Sequence, residues 1–165
     1  MKNKLNQQLA TGFGFGLSRF MPGTVGTLWG IPLAWAVAQI PSINLQIVIC
    51  LILTMIAIPI CEAAEKQLGK GKDPGCIVVD EYLTLPIVYL GLPFTPWVIL
   101  SGFVLHRIFD ITKPPPIRQL QNLKGGIGIV IDDFLAALLA LAVNQLIFRL
   151  IIPMFATSLC SLPSH

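Results

Sequence analysis

Charge is distributed along this chain in blocks, and the blocks define its elements. Residues 28–61 carry no charged side chain, nor do residues 82–105 or 134–148. Every acid lies outside those runs: Glu62, Glu65, Asp73, Asp80, Glu81, Asp110, Asp132 and Asp133. The first run is interrupted by Pro41, Ser42 and Asn44, which favour a turn. The second is interrupted in the same way by Gly91, Pro93 and Pro96. The halves of the first run, 28–40 and 45–61, are short beside the roughly 20 residues of a full bilayer crossing. The pattern predicts two helical hairpins that dip into an apolar medium and return, with tilted full spans as the alternative. A final helix is expected over residues 128–152, with Asp132 and Asp133 near its start and Arg149 near its end, placed to snorkel.

The hairpins carry a statement about sidedness. They return residues 12–27, 62–81 and 106–133 to one side. Arg19, Lys66, Lys70, Lys72, Arg107, Lys113, Arg118 and Lys124 lie in those segments. An excess of Lys and Arg marks the cytoplasmic side. Single crossings would instead put the acidic clusters on opposite sides.

Composition turns this pattern into a fold class. Hydrophobic residues make up 55% of the chain and charged residues 12%, with a mean hydropathy of +0.78. Soluble domains are about a quarter charged, so the main solvent expected here is lipid. The 165 residues suffice for a single domain, 1–165. The expected fold is all-α: a compact, membrane-embedded bundle of hydrophobic helices and helical hairpins. A net charge of +3 gives no reason to expect a nucleic-acid partner and suits anionic head groups. Cys50, Cys61, Cys76 and Cys160 make no zinc pattern and read as small hydrophobes. No cleavable signal peptide is expected.

Four segments could carry chemistry. In residues 72–81, Asp73 before Pro74 reads as a helix cap, and the helix that follows brings Asp80 and Glu81 to adjoining faces beside apolar sequence. Those two are either solvated surface or carboxylates that need a partner. In residues 103–116, Arg107, Asp110 and Lys113 stand three apart and share a helix face. They form either a local salt-bridge ladder or a grip on phosphate that Asp110 orients. Adjacent Asp132 and Asp133 inside an apolar helix repel each other unless a cation neutralises them, and intramembrane acids point to function. Residues 12–27 are glycine-rich and match neither nucleotide-binding loop. They are either a turn leading into a helix or an anion cradle to which Ser18, Thr24 and Thr27 add hydroxyl donors.

Together these make a candidate site: Asp80, Glu81, Asp132 and Asp133 as metal ligands, Arg107, Lys113, Ser18 and Thr24 for phosphate, and Asp110 to position them or extend the metal site. Hard oxygen donors favour Mg2+, and Mg2+ with Arg and Lys equips a site for attack at phosphorus. No Cys has an Arg six residues later, which removes a thiolate phosphatase loop, and two histidines do not make the usual two-histidine site. His106 reads as a helix-end polar residue. His165 is the last residue of the chain.

In residues 12–27, 73–81, 103–117 and 125–133 the sequence resembles the phosphatidylglycerophosphatase A family, in order and over most of the chain. The resemblance implies an all-α, Mg2+-dependent phosphoric monoester hydrolase of phospholipid biosynthesis. Its substrate would be phosphatidylglycerophosphate, its product phosphatidylglycerol, and its place the cytoplasmic face of a bacterial inner membrane. The chain departs from the family pattern at Thr84 and Ala137, where Gly is usual or frequent, at His106, and in the 118–124 connection, which lacks an acid. Two other readings stand beside it: a small transporter that relays charge through buried carboxylates, and a non-catalytic membrane subunit whose charges pair with a partner. Carboxylates gathered at the ends of apolar runs disfavour the transporter.

Overall fold

The computed structural model describes residues 2–18, 21–68, 75–115, 117–120, 123 and 125–153. Arg19, Lys70, Lys72, Lys124, Asp73 with its cap at Pro74, and His165 lie outside them.

The described residues are helical, without strands. In chain order, α1 is Lys2–Ala10, α2 Pro22–Ala38, α3 Ile43–Leu68, α4 Val79–Thr84, α5 Pro96–Thr112, α6 Ile117–Leu120 and α7 Gly126–Leu146. A 3-10 segment, Leu85–Tyr89, continues α4, and a π turn, Ile147–Ile151, continues α7.

Both expected hairpins form. Helices α2 and α3 are the arms of the first, turning at residues 39–42. α2 starts at Pro22, six residues ahead of the apolar run, because Pro at the first position suits a helix start. α3 extends past the run to Leu68 and takes in Glu62, Glu65 and Lys66. At 26 residues it is about 39 Å long, longer than the 45–61 half expected for it and long enough to cross a bilayer. The second hairpin turns at Gly91, whose φ of +68° favours glycine. Its return arm, α5, is capped by the Thr95 hydroxyl and started by Pro96.

The outgoing arm of the second hairpin differs from expectation. Residues 75–78 are not helical, and α4 begins only at Val79. There the backbone instead serves α1, with Val78 N–H donating to Ala10 O at 2.8 Å; from within α4 the Tyr82 hydroxyl adds a bond to Leu9 O at 2.9 Å. Pro86 has no N–H to continue the α-helical ladder, and the chain tightens into the 3-10 segment.

Residues 82–89 are all buried, with α2, α3, α5 and α7 packed around this stretch and α4. That explains why the run has no amphipathic period: it has no exposed face. Its polar atoms are satisfied, as where Tyr89 Oη donates to Ile99 O at 3.0 Å. The outer helices are inverted relative to a water-soluble bundle. Ile47, Leu51, Met55, Leu100, Val104 and Ile108 are exposed. Two helical stretches, Ile43–Gln67 and Gly126–Ile151, are long and apolar enough to cross a membrane. Only 28% of the most apolar window of the first is buried in the protein, so most of that surface needs another apolar cover.

The ends of the bundle sort by chemistry. At one end Arg149 donates to Gly91 O, and Gln145 Nε2 donates to Leu90 O at 2.6 Å. At the other end the starts of α2, α4 and α7 meet the last turn of α5, and the acids collect there.

Candidate active site

The first residue of this site is a glycine. Gly23, in the first turn of α2, packs so closely on α4 and α5 that a Cβ there would collide with Glu81 Oε1 and lie 3.0 Å from Arg107 Nη2. One turn on, the Thr27 hydroxyl donates to Glu81 Oε2 at 2.7 Å, with Gly23 O as a second acceptor at 2.9 Å. It accepts from Arg107 Nη1 at 3.2 Å. Arg107 on α5 also pairs with Glu81 Oε2 at 3.2 Å and with Asp110 Oδ2 at 2.8 Å. Three helices are thereby tied through one guanidinium. The side chains of Arg107, Glu81 and Asp110 are 15%, 12% and 14% exposed, so these pairs lie in a low-dielectric setting where charge–charge contacts are strong. Burial pushes the Glu81 carboxyl up to about 7, with Asp110 adding to it; Arg107 and the Thr27 hydroxyl pull the other way.

A second knot lies beside the first. Lys113 ends α5 in the left-handed conformation, φ 43°, uncommon for a side chain other than glycine. That turn carries its ammonium out of the α5 ladder and across to α7, where Nζ lies 2.5 Å from Asp132 Oδ2. Of the local salt-bridge ladder that i, i+3 spacing allows, Arg107–Asp110 forms, while Lys113 makes its ion pair with Asp132 on another helix. Burial opposes the ammonium's charge, but the hydrogen bond and the charge of Asp132, with Asp110 and Asp133 behind it, hold its pKa above the ordinary lysine value.

Asp80, Asp132 and Asp133 are each 4% exposed, which excludes the solvated-surface reading of these acids. Asp133 stands within electrostatic reach of Asp110, Asp80, Glu81 and Asp132. Five carboxylates thus converge on one end of the bundle with Arg107 and Lys113. Asp133 continues the buried face of α7, which runs on through Ala137, Ala140 and Asn144 at helical spacing.

The fit of this set to a divalent cation can be judged atom by atom. Among the described residues, no three Asp, Glu, His or Cys side chains already stand arranged to hold a metal ion. Glu81 is engaged by Arg107 and Thr27, and Asp132 by Lys113. Yet Asp132 Oδ1 and Asp133 Oδ1 are buried and accept no hydrogen bond, an arrangement that is costly without a cation. Hard carboxylate oxygens without a protein donor are of the kind that suits Mg2+.

The remaining expected residues fall at the edge. Thr24 and Arg107 line an open groove of about 330 Å3 between the start of α2 and the outer face of α5. Ser18 ends the 3-10 turn Phe15–Leu17, half-buried, just ahead of α2. The glycine-rich stretch is a turn leading into a helix. Gly12, Gly16 and Gly26 lie where a Cβ would crowd residues 76–78, so they serve close packing against the approach to α4.

His106 departs from its reading as a helix-end polar residue. It is fully buried, in surroundings that include Asp110, Arg107 and the Asp133 backbone. The signal was present in α5, where Val98, Gly102 and His106 recur every four residues and make its buried face. Thr27, named only as a hydroxyl of the glycine-rich stretch, proves to be the link between Glu81 and Arg107. Thr84 is also fully buried, and its hydroxyl donates back to Asp80 O at 2.7 Å, so this departure is accommodated within α4.

The family profile of phosphatidylglycerophosphatase A matches residues 8–148. The chain belongs to the phosphatidylglycerophosphatase A family. It is 38% identical over 138 residues to the phosphatidylglycerophosphatase A of Escherichia coli (strain K12), covering 80% of this chain and 77% of the relative. It is 37% identical over 137 residues to that of Haemophilus influenzae (strain ATCC 51907 / DSM 11121 / KW20 / Rd), covering 82% and 83%. A Bacteroides thetaiotaomicron protein, provisionally described as a phosphatidylinositol-3-phosphatase, is 36% identical over 134 residues, covering 78% and 84%. No solved structure matches the chain at a significant level. Membership of the phosphatidylglycerophosphatase A family makes the protein a phosphatase, a hydrolase of phosphate monoesters. The matched span includes both knots and all five clustered carboxylates.

Proposed function

We propose that the protein hydrolyses the terminal phosphate monoester of phosphatidylglycerophosphate to give phosphatidylglycerol, with Mg2+ as cofactor, at the cytoplasmic face of a bacterial inner membrane. The observation that carries this reading is the convergence of Asp80, Glu81, Asp110, Asp132 and Asp133 on Arg107 and Lys113 at one end of an apolar bundle. The names of the two phosphatidylglycerophosphatase relatives support the substrate. The exposed apolar faces of α3 and α5 support membrane embedding, with α3 and α7 as the two spanning helices.

Asp80, Glu81, Asp132 and Asp133 would hold the cation. Bound there, Mg2+ supplies Lewis-acid neutralisation of charge at phosphorus. Arg107 and Lys113 supply the fixed positive charge that receives phosphate oxygens. In the present arrangement both cations rest on carboxylates, so substrate phosphate competes with Glu81 for Arg107 and with Asp132 for Lys113. Asp110 keeps the guanidinium in place through that exchange. Ser18 and Thr24 add hydroxyl donors at the rim. The nucleophile is water or one of the aspartates.

Phosphate release by purified protein from phosphatidylglycerophosphate, with Mg2+ and with chelator, tests the reading. Release that needs the metal and drops about a hundredfold or more in Asp80→Asn and Asp133→Asn is expected. Release unchanged by chelator overturns the metal, and full activity in both variants overturns the site. Preference for phosphatidylinositol 3-phosphate overturns the substrate. Absence of any release from phosphatidylglycerophosphate overturns the substrate as well.

A further inference from the structure

No step proposed above uses His106, yet its ring lies among the charged groups of the site. It is fully buried on the face of α5 that also carries Val98 and Gly102. Its surroundings include Asp110, one turn further along α5, Arg107, and the Asp133 backbone on α7. The seam between these two helices is pinned on either side of the ring. Towards one end Ser101 Oγ donates to Asn144 Oδ1 at 2.7 Å, and at the other Lys113 Nζ meets Asp132 Oδ2 at 2.5 Å. His106 falls between the pins, where Asp133 continues the buried face of α7.

Neither nitrogen of this ring makes a hydrogen bond. The Asp133 backbone lies beside it without hydrogen-bond geometry. Burial disfavours a charged ring, and a neutral imidazole carries one N–H donor and one acceptor. Both go unused. Buried polar atoms without partners destabilise a fold, and an apolar side chain of similar size would avoid that cost. Loose packing is not the cause, because the buried Asn144 on the same seam is matched by Ser101. Among the described residues, Asp132 Oδ1 and Asp133 Oδ1 are buried and unmatched as well. An unused donor and unused acceptors therefore share one water-poor neighbourhood.

We infer that His106 is a positioning residue for the metal site: its N–H engages the Asp133 carboxylate when the cation is bound and fixes the direction in which that carboxylate faces the metal. This rests on the metal-site reading above. Mg2+ prefers oxygen to imidazole nitrogen, so the ring serves a ligand and is not one itself. Carboxylates that bind metals are held in turn by hydrogen bonds, and losing such a partner costs about 10- to 100-fold in metal affinity or activity. The other cationic donors nearby are committed. Lys113 is engaged by Asp132, and the terminal nitrogens of Arg107 by Glu81, Asp110 and Thr27. Asp133 is 4% exposed, which leaves water little access to hold it instead.

Two kinds of variant in detergent-purified protein separate positioning from packing. His106→Phe and His106→Leu remove both nitrogens, whereas His106→Asn and His106→Gln keep an amide N–H. Melting is followed without metal and against Mg2+ concentration, and phosphate release from phosphatidylglycerophosphate is measured alongside. Without metal, Phe or Leu should melt at or above wild type, because the unmatched nitrogens are gone. Either should need about tenfold or more Mg2+ to reach half of the metal-induced rise in melting temperature. The accompanying loss of activity should fall on kcat, with KM for the lipid little changed. Asn or Gln should recover part of the Mg2+ response. An unchanged Mg2+ requirement in the apolar variants overturns the role, and a loss carried by KM alone places His106 on the substrate and overturns it too. Apolar variants that both melt well below wild type without metal or fail to fold, or amide variants no better than Phe, assign the ring to packing and overturn it as well. Mg2+ that leaves the melting of wild type unchanged overturns the metal site itself, and the role of His106 with it.

Discussion

Gly23 shows how little room the site allows at the scale of a residue. A methyl group there would meet Glu81 Oε1 and press on both terminal nitrogens of Arg107. The backbone of Gly23 is helical and tolerates alanine, so the effect of Gly23→Ala is a displacement of the Glu81–Arg107 pair. A shift near 1 Å at reacting groups costs about a hundredfold in rate. We expect Gly23→Ala to lower kcat/KM by about that factor while the melting temperature changes by only a few degrees. Glu81 gives a pH signature at the same scale. Its carboxyl titrates at about 7 in the folded protein against 4.5 ordinarily, so the folded state holds that proton more tightly than the unfolded one. The associated stability is complete below about pH 4.5 and is lost as pH rises through about 7. Metal-free protein in detergent should therefore melt lower at pH 8 than at pH 5. Glu81→Gln, neutral throughout, should flatten that slope.

At the scale of elements, the bundle depends on close approach between helices. Gly126 opens α7 against α3 so tightly that a Cβ would overlap Ile58 O and lie 2.9 Å from Glu62 N. Backbone cannot yield as a flexible side chain can, and overpacking of this kind costs about 1–3 kcal/mol. Gly126→Ala should lower the melting temperature by several degrees and, because Asp132 and Asp133 ride on α7, also lower activity. The elements were unevenly legible beforehand. The turns at 39–42 and at Gly91 were marked by Pro, Ser, Asn and Gly, whose backbone preferences act locally. The late start of α4 was not marked, because residues 75–78 are held out of a helix by distant partners, Ala10 O for Val78 and the glycines of residues 12–26 around it. The contact of Lys113 with Asp132 was hidden for a related reason: helical spacing assumes the helix continues, and α5 stops at that residue.

At the scale of the whole molecule, the hairpins put every described member of the acidic cluster at one end of the bundle, and put Gln39, Gly91 and Arg149 away from it. Gln39 and Arg118 are both exposed, which allows a test of sidedness. In intact bacteria carrying the protein with Cys76 and Cys160 changed to Ser, an impermeant thiol reagent should label Gln39→Cys. It should reach Arg118→Cys only after the membrane is opened. The opposite pattern would place the acids outside and overturn the proposed location.

The sequence alone determined the all-helical class, the hairpins and the scarcity and placement of charge. These follow from composition and from turn residues, whose effects reach only a few positions along the chain. It also singled out the acids, because carboxylates beside long apolar runs are costly wherever the chain goes. Only the tertiary structure decided who partners whom. Glu81 meets Thr27 across 54 residues, Arg107 meets Thr27 across 80, and Lys113 meets Asp132 across 19. Those separations carry no local signal. They are set by helices that pack closely where glycine permits, and by buried charges that find one another because, out of water, they cannot stand alone.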